Sequence, residues 1–222
     1  MMGARTAPLE AVIFDLDGLA VDSEPVQVEA WRRAVEAAGA QFDPDLIHSY
    51  WGRPIATTAA GLAERLRVDA AQLEAARDRA FEALTETGVP IMPSLPEATR
   101  RVQEHGLRSG LVTSGGRDYA ETVLAALRRE HGVAFDAVVT RDDVENPKPD
   151  PEPYLMGARL LQLDPAACAV LEDAPAGVAS ARAAGMTVVA VPTEYTRGLD
   201  LSEADSVQPD LVRAVEWLLA RA

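Results

Sequence analysis

Two aspartates stand two residues apart in the stretch DLDG, Asp15 and Asp17, directly after the apolar run AVIF. Three more polar groups follow apolar runs in the same way: Thr113, Ser114, Gly115 and Gly116 after GLV, Lys148 within NPKPDPEPY, and the pair Glu172 and Asp173 after CAVL. Four carboxylates gathered at one place repel one another unless a hard divalent cation neutralises them, and Mg²⁺ takes such oxygen ligands while keeping waters for a substrate. A Ser or Thr hydroxyl, two glycine amides and one ammonium then offer hydrogen bonds to a phosphoryl group. Lys148 is the only lysine in a chain that otherwise uses arginine for every long cation. A compact ammonium fits between a carboxylate and a phosphate where a planar guanidinium demands more room. Pro147, Pro149, Pro151 and Pro153 fix φ and remove backbone donors, which makes a stiff loop of this segment.

Five short apolar runs must position these residues: 11–14, 110–112, 136–139, 168–171 and 187–191. Each reads as a buried strand. The last four are separated by segments of helical periodicity, such as Tyr119, Val123, Leu124 and Leu127, so the expected fold is α/β, a Rossmann-like doubly wound parallel sheet. Ligands of such sheets bind beyond the carboxyl ends of the strands, where all four polar groups fall. The gap between the first two runs is far wider than a crossover needs. Its sequence reads as helix throughout (VQVEAWRRAVEAAG, PIATTAAGLAERL and DAAQLEAARDRAFEALTE). The expectation is a core of 1–20 and 91–222 with an inserted all-helical cap domain over 21–90, hinged near 19–23 and 89–93.

A formal net charge of −14 disfavours nucleic acid and anionic lipid as partners, while a small anionic metabolite remains allowed because one cation or metal dominates the potential inside a pocket. No apolar run approaches the roughly 20 residues of a membrane span, and MMGARTAPLE has neither a signal core nor the Met-Gly start of a myristoylated chain. A cytoplasmic protein, monomeric or weakly dimeric, is expected. The single cysteine, Cys168, reads as an inert core thiol.

In order and spacing these residues resemble the four motifs of the haloacid dehalogenase superfamily. DLDGLAVDS is similar to its motif I, DxDGxxxDS; VTSG to motif II; Lys148 in NPKPDPEPY to motif III; and VLEDAPAG to motif IV. The resemblance implies an Mg²⁺-dependent phosphatase acting on a small phosphomonoester such as a sugar phosphate. It implies Asp15 as the nucleophile that becomes an aspartyl phosphate and Asp17 as general acid and then base. Metal ligands would be Asp15, the Asp17 carbonyl and Asp173, with Glu172 direct or through water. Ser114 and Lys148 would hold phosphoryl oxygens, although the spacing alone does not choose between Thr113 and Ser114. Dehalogenases of the superfamily resemble one another in having Tyr at the position of Asp17, and phosphonate hydrolases in having Ala, so phosphoryl chemistry is favoured.

Blander readings stand beside these. An isolated DxDG is often only a turn and helix cap, Asp173 also suits an N-cap, and Asp22 reads as a turn or hinge residue. In the cap, Trp31 sits at core spacing with Val28 and Val35, whereas Trp51, Gly52, Arg53 and Pro54 form a candidate substrate-facing loop with Arg53 as its cation. His48, His105 and His131 show no ligand spacing. A β-phosphoglucomutase-like phosphomutase is the alternative activity; that group is similar in core and cap but has His where Gln27 stands, and Arg53 lies near, without matching, its cap arginine. A catalytically silent binder is the third reading, disfavoured because every motif carboxylate is intact.

Overall fold

Strand residues of alternating direction feed two separate apolar layers, and that alternation defines the architecture. The computed structural model describes residues 7–221; residue 222 and residues 1–6, most of the stretch read for targeting signals, lie outside the described residues. Strands β1 (Ala11–Phe14), β2 (Arg108–Val112), β3 (Ala137–Val139), β4 (Cys168–Glu172), β5 (Thr187–Ala190) and β6 (Ser206–Val207) form one sheet in the order β3-β2-β1-β4-β5-β6. Every pairing is parallel. From β1, Val12 and Phe14 join one layer with Leu111, Leu171 and Val189, while Ala11 and Ile13 join the other with Val112, Val170 and Val188. This is the period of two that a pleated strand imposes.

The first layer is covered by α5 (Leu95–Glu104), α6 (Arg117–His131) and α9 (Leu211–Leu219), the second by α7 (Glu152–Leu161) and α8 (Pro175–Ala183). The sheet is thus doubly wound. The chain crosses from β1 to β2 on one side, while β4 lies on the other, so the loops after β1 and β4 part at the sheet's centre and open a crevice there. Cys168 is fully buried at the start of β4. The sixth strand, two residues long, is an addition to the five expected; its segment SV is too short and polar to register as an apolar run.

Between β1 and α5 lie α1 (Glu24–Ala37), α2 (Pro44–His48), α3 (Ile55–Leu66) and α4 (Ala70–Thr85). Pro25 falls in the first turn of α1, where its missing N–H costs nothing, and Asp69 caps α4 by accepting from the Gln72 amide at 2.8 Å. The insert has its own apolar cluster of Trp31, Val35, Ile47, Leu62 and Leu73. Burying each large side chain of this kind stabilises by about 1.5–3 kcal/mol. The two chain crossings between insert and sheet lie side by side: the Asp22 amide donates to Pro90 at 2.8 Å, and the Met92 amide to Ala20 at 3.0 Å. An antiparallel bridge joins Val21 to Ile91 at the same place.

Candidate active site

The crevice gathers the ends of four strands. Register places Phe14 beside both Leu111 and Leu171, and the Asp15 amide donates to the Leu171 carbonyl at 3.0 Å. Asp15 and Glu172 therefore emerge side by side. Lys148 Nζ sits between them, 2.5 Å from Asp15 Oδ1 and 2.7 Å from Glu172 Oε1, with the Val112 carbonyl at 3.3 Å. Lys148 is 8 % exposed, Asp15 6 % and Glu172 2 %, so their attraction is little screened by water.

Two devices hold this ammonium. The Tyr154 ring lies 4.7 Å from Nζ, and its hydroxyl donates to Glu172 Oε1 at 2.6 Å. The loop carrying Lys148 is anchored by Glu152, whose carboxylate accepts from the amides of Glu145 and Asn146, each at 2.9 Å. Ser180 Oγ donates to the Asp150 carbonyl at 2.6 Å. The Lys148–Pro149 peptide is cis. Glu172 Oε2 in turn accepts from the amides of Asp173 and Ala174 at 3.0 and 3.2 Å. Gly177 of α8 lies so near that a Cβ there would overlap the Glu172 carboxylate.

Asp17 is held from the other side. Its Oδ1 accepts from the Tyr119 hydroxyl at 2.7 Å and its Oδ2 from Thr113 Oγ1 at 3.2 Å. Thr113 Oγ1 also accepts from the Gly115 amide at 2.9 Å, so its hydroxyl is already engaged. Ser114 is exposed and lines the cavity with Gly115 and Gly116. Gly18, at φ +77°, is required twice over: a Cβ there would come within 2.7 Å of Asp173 Oδ2.

Negative charge outweighs positive in the crevice. Four carboxylates, Asp15, Asp17, Glu172 and Asp173, face one ammonium. Burial acts against the charge of Lys148, yet Asp15 and Glu172 together hold its pKa above the ordinary lysine value. Burial raises Asp15, Lys148 opposes, and Glu172 and Asp17 reinforce, leaving it at about 8. Asp173 is pushed well above the usual carboxylate range, by burial first and then by Glu172 and Asp15. Ligand oxygens of Asp15, Glu172 and Asp173 lie within 4.8 Å of one another. An all-oxygen donor set with excess negative charge fits a hard divalent cation. Glu172 fits least well as a direct ligand, because both its oxygens already accept hydrogen bonds.

Above the crevice, the insert and the sheet's rim enclose a cavity of about 810 Å³, within the range of small-molecule sites. Its far wall carries Trp31, Trp51, Phe81 and Gln27. Arg77 of α4 also lines it, only 3 % exposed. One Arg77 nitrogen donates to Asp78 at 2.9 Å and another to Gln27 Oε1, while Nε has no partner among the described residues. The guanidinium lies 4.6 Å over the Phe81 ring and 6.0 Å over Trp31. Burial lowers its pKa and Asp78 opposes. Trp51 stacks on Tyr195 of the loop after β5, ring centroids 5.1 Å apart, which ties the insert to the sheet side. Arg53 is exposed over the Tyr50 ring at 5.1 Å and lines the same cavity.

Asp15, Asp17, Lys148, Glu172 and Asp173 thus meet in one crevice, with Ser114 and Gly115 at its rim, and Arg53 lines the cavity above. Thr113 is buried beneath that rim, against Asp17. Trp31 is both buried in the insert's cluster and a wall of the cavity. Three participants carried no signal of their own. Tyr119 read as a core position of a helix, Tyr154 closes a proline-rich loop, and Arg77 lies unmarked within DAAQLEAARDRAFEALTE.

A doubly wound parallel sheet whose switch point carries two aspartates and a clamped lysine defines a class: α/β enzymes that act on an anionic ligand in the central crevice. The chain belongs to the haloacid dehalogenase-like hydrolases, whose sequence pattern matches residues 12–191. It is a hydrolase acting on phosphate esters. Validoxylamine A 7'-phosphate phosphatase of Streptomyces hygroscopicus subsp. limoneus is 33% identical over 94% of this chain and 96% of its own length. Fructose-1-phosphate phosphatase YqaB of Escherichia coli is 35% identical over 81% of this chain and 95% of its own. Among solved structures, a hydrolase from Pseudomonas syringae superposes with a TM-score of 0.76 at 28% identity, covering 95% of this chain and 98% of that one.

Proposed function

We propose that this protein is an Mg²⁺-dependent phosphatase of a small sugar or polyol monophosphate, working through an aspartyl phosphate on Asp15. The observation that carries the reading is Lys148, buried and clamped between Asp15 and Glu172 at the floor of a cavity into which Asp17 also opens. Asp15 attacks phosphorus, and the ester P–O bond breaks as Asp17 gives its proton to the departing alkoxide. Asp17 then takes a proton from the water that attacks the acyl phosphate, releasing inorganic phosphate and restoring the Asp15 carboxylate. Lys148, the Ser114 hydroxyl and the Gly115 and Gly116 amides neutralise and orient the phosphoryl oxygens. Asp15, the Asp17 carbonyl and Asp173 would hold Mg²⁺, with Glu172 reached through water, and the ion would supply charge stabilisation to the phosphoryl group.

Helices α1–α4 serve as a cap over residues 21–90 that shuts out water and sets specificity. Its aromatic walls suit the C–H faces of a polyol, and Gln27, held by Arg77, lines the same cavity. The names of the two curated relatives support a polyol leaving group. Gln27, engaged with Arg77, leaves the phosphomutase alternative without the histidine that the resemblance attaches to it. The expected cytoplasmic setting and monomeric or weakly dimeric state belong to the same reading. Phosphate release from hexitol, hexose and pentose phosphates, measured with Mg²⁺ and with chelator, tests it. Release only with Mg²⁺ is expected; no release from any ester would overturn the reading.

A further inference from the structure

We propose that Tyr119 is a positioning residue for the general acid, holding the Asp17 carboxylate in the orientation from which it protonates the leaving group. The inference rests on the phosphatase reading above. A carboxyl group on a turn three residues past a strand has side-chain freedom of its own, and general-acid catalysis needs one orientation within hydrogen-bond reach of the leaving oxygen. Two donors divide the two Asp17 oxygens between them. Tyr119 takes Oδ1 at 2.7 Å, and Thr113 takes Oδ2 at the longer 3.2 Å, so the phenol is the tighter constraint.

The phenol's setting argues against simple packing. Tyr119 is 8 % exposed and belongs to the apolar layer beneath α6, a place where phenylalanine would bury the same ring without a polar atom to satisfy. A buried hydroxyl is costly without a partner, and here the partner is the Asp17 carboxyl group of the reaction centre. The ring itself is seated from above by Phe81 of α4, edge to face with centroids 5.0 Å apart. The insert that closes the cavity is therefore also the element that seats the residue orienting the acid.

The test exploits leaving-group chemistry. p-Nitrophenolate departs without a proton, whereas the alkoxide of a hexitol phosphate needs one. With enzyme in excess and Mg²⁺ present, first-turnover rates of ester cleavage are measured by rapid quench for the parent, Tyr119→Phe, Asp17→Asn and the double variant. Tyr119→Phe should slow cleavage of the hexitol phosphate about 10- to 100-fold, and slow p-nitrophenyl phosphate at least about tenfold less. In the double variant, Tyr119→Phe should add nothing to the loss from Asp17→Asn, since both act through one group. A fall of equal size on both esters, or a full additive loss in the double variant, would assign Tyr119 to packing and overturn the proposal. Partial misfolding scales both esters alike and so cannot imitate the expected result. If the parent protein cleaves neither ester, the phosphatase reading itself fails.

Discussion

Stripped of divalent cation, the folded protein should lose stability as pH rises from 5 to 8. Asp15 stands at about 8 against its ordinary 3.8, with burial the largest cause. Asp173 is raised in the same direction, and Glu24, buried and bonded to Thr193, reaches about 7 from 4.5. A carboxyl whose folded pKa exceeds its unfolded one keeps its proton after the unfolded chain has given its own up. Between 3.8 and about 8 the folded state binds more protons, so the unfolding free energy falls as pH rises. Each pH unit in that window removes about 1.4 kcal/mol per such carboxyl, so Asp15 alone accounts for about 3 kcal/mol between pH 5 and 7. That is a measurable share of a typical total of about 5–15 kcal/mol. Glu29, held near 2 by Arg32 and Arg33, is ionised throughout the range and leaves the slope unchanged. The assay is urea unfolding at four pH values in chelating buffer, repeated with Mg²⁺ and with Asp15→Asn. Stability in chelator should fall with pH, Asp15→Asn should flatten the fall, and Mg²⁺ should stabilise most at pH 8, where its ligands are deprotonated. A flat or rising profile in chelator, with Asp15→Asn parallel to the parent, would refute the idea that burial keeps protons on the clustered carboxyls.

Lys148→Met removes the sole ammonium from these carboxylates and should cost about 3–5 kcal/mol in chelator, with a loss of phosphate release of at least about 100-fold; denaturation and turnover assays check both. Gly177→Ala drives a methyl into the Glu172 carboxylate and should cost about 1–3 kcal/mol by overpacking, with turnover falling because Glu172 can no longer hold Lys148. Arg77→Met should raise KM for a polyol phosphate about tenfold with a smaller change in kcat, as steady-state kinetics will show, because Arg77 fixes Gln27 at the wall of the cavity.

The centre of the site was legible because each of its residues follows an apolar run, and in a parallel sheet the end of a run is an address. Asp15 and Glu172 come together for that reason, and Lys148 reaches them from the proline-rich loop that Glu152 and Ser180 anchor. The insert was legible as helix because VQVEAWRRAVEAAG and DAAQLEAARDRAFEALTE carry continuous helical periodicity, whereas α2, five residues within a loop, and β6, two residues at the edge, are too short to carry any. What could not be read is who reaches whom across elements. Nothing in GGRDYAETVL says that the Tyr119 hydroxyl meets Asp17, some hundred residues earlier, because its ring obeys the same periodicity as any core residue. Nothing in DAAQLEAARDRAFEALTE sets Arg77 apart, and only the packing of α4 on α1 turns it inward against Gln27. The choice between Thr113 and Ser114 was beyond spacing as well. The two hydroxyls are neighbours on one loop, and the turn after β2 sends one beneath the rim to Asp17 and leaves the other open to the cavity.

The covalent step is the heart of the proposed mechanism, and one measurement addresses it directly. The enzyme is mixed with a hexitol phosphate and Mg²⁺, quenched in acid within a turnover, and digested for peptide mass mapping. The peptide containing Asp15 should carry the mass of one phosphoryl group, and that mass should vanish with chelator and with Asp15→Asn. Phosphate release at full rate in the Asp15→Asn variant, or a phosphoryl group found on a different residue, would contradict Asp15 as the nucleophile.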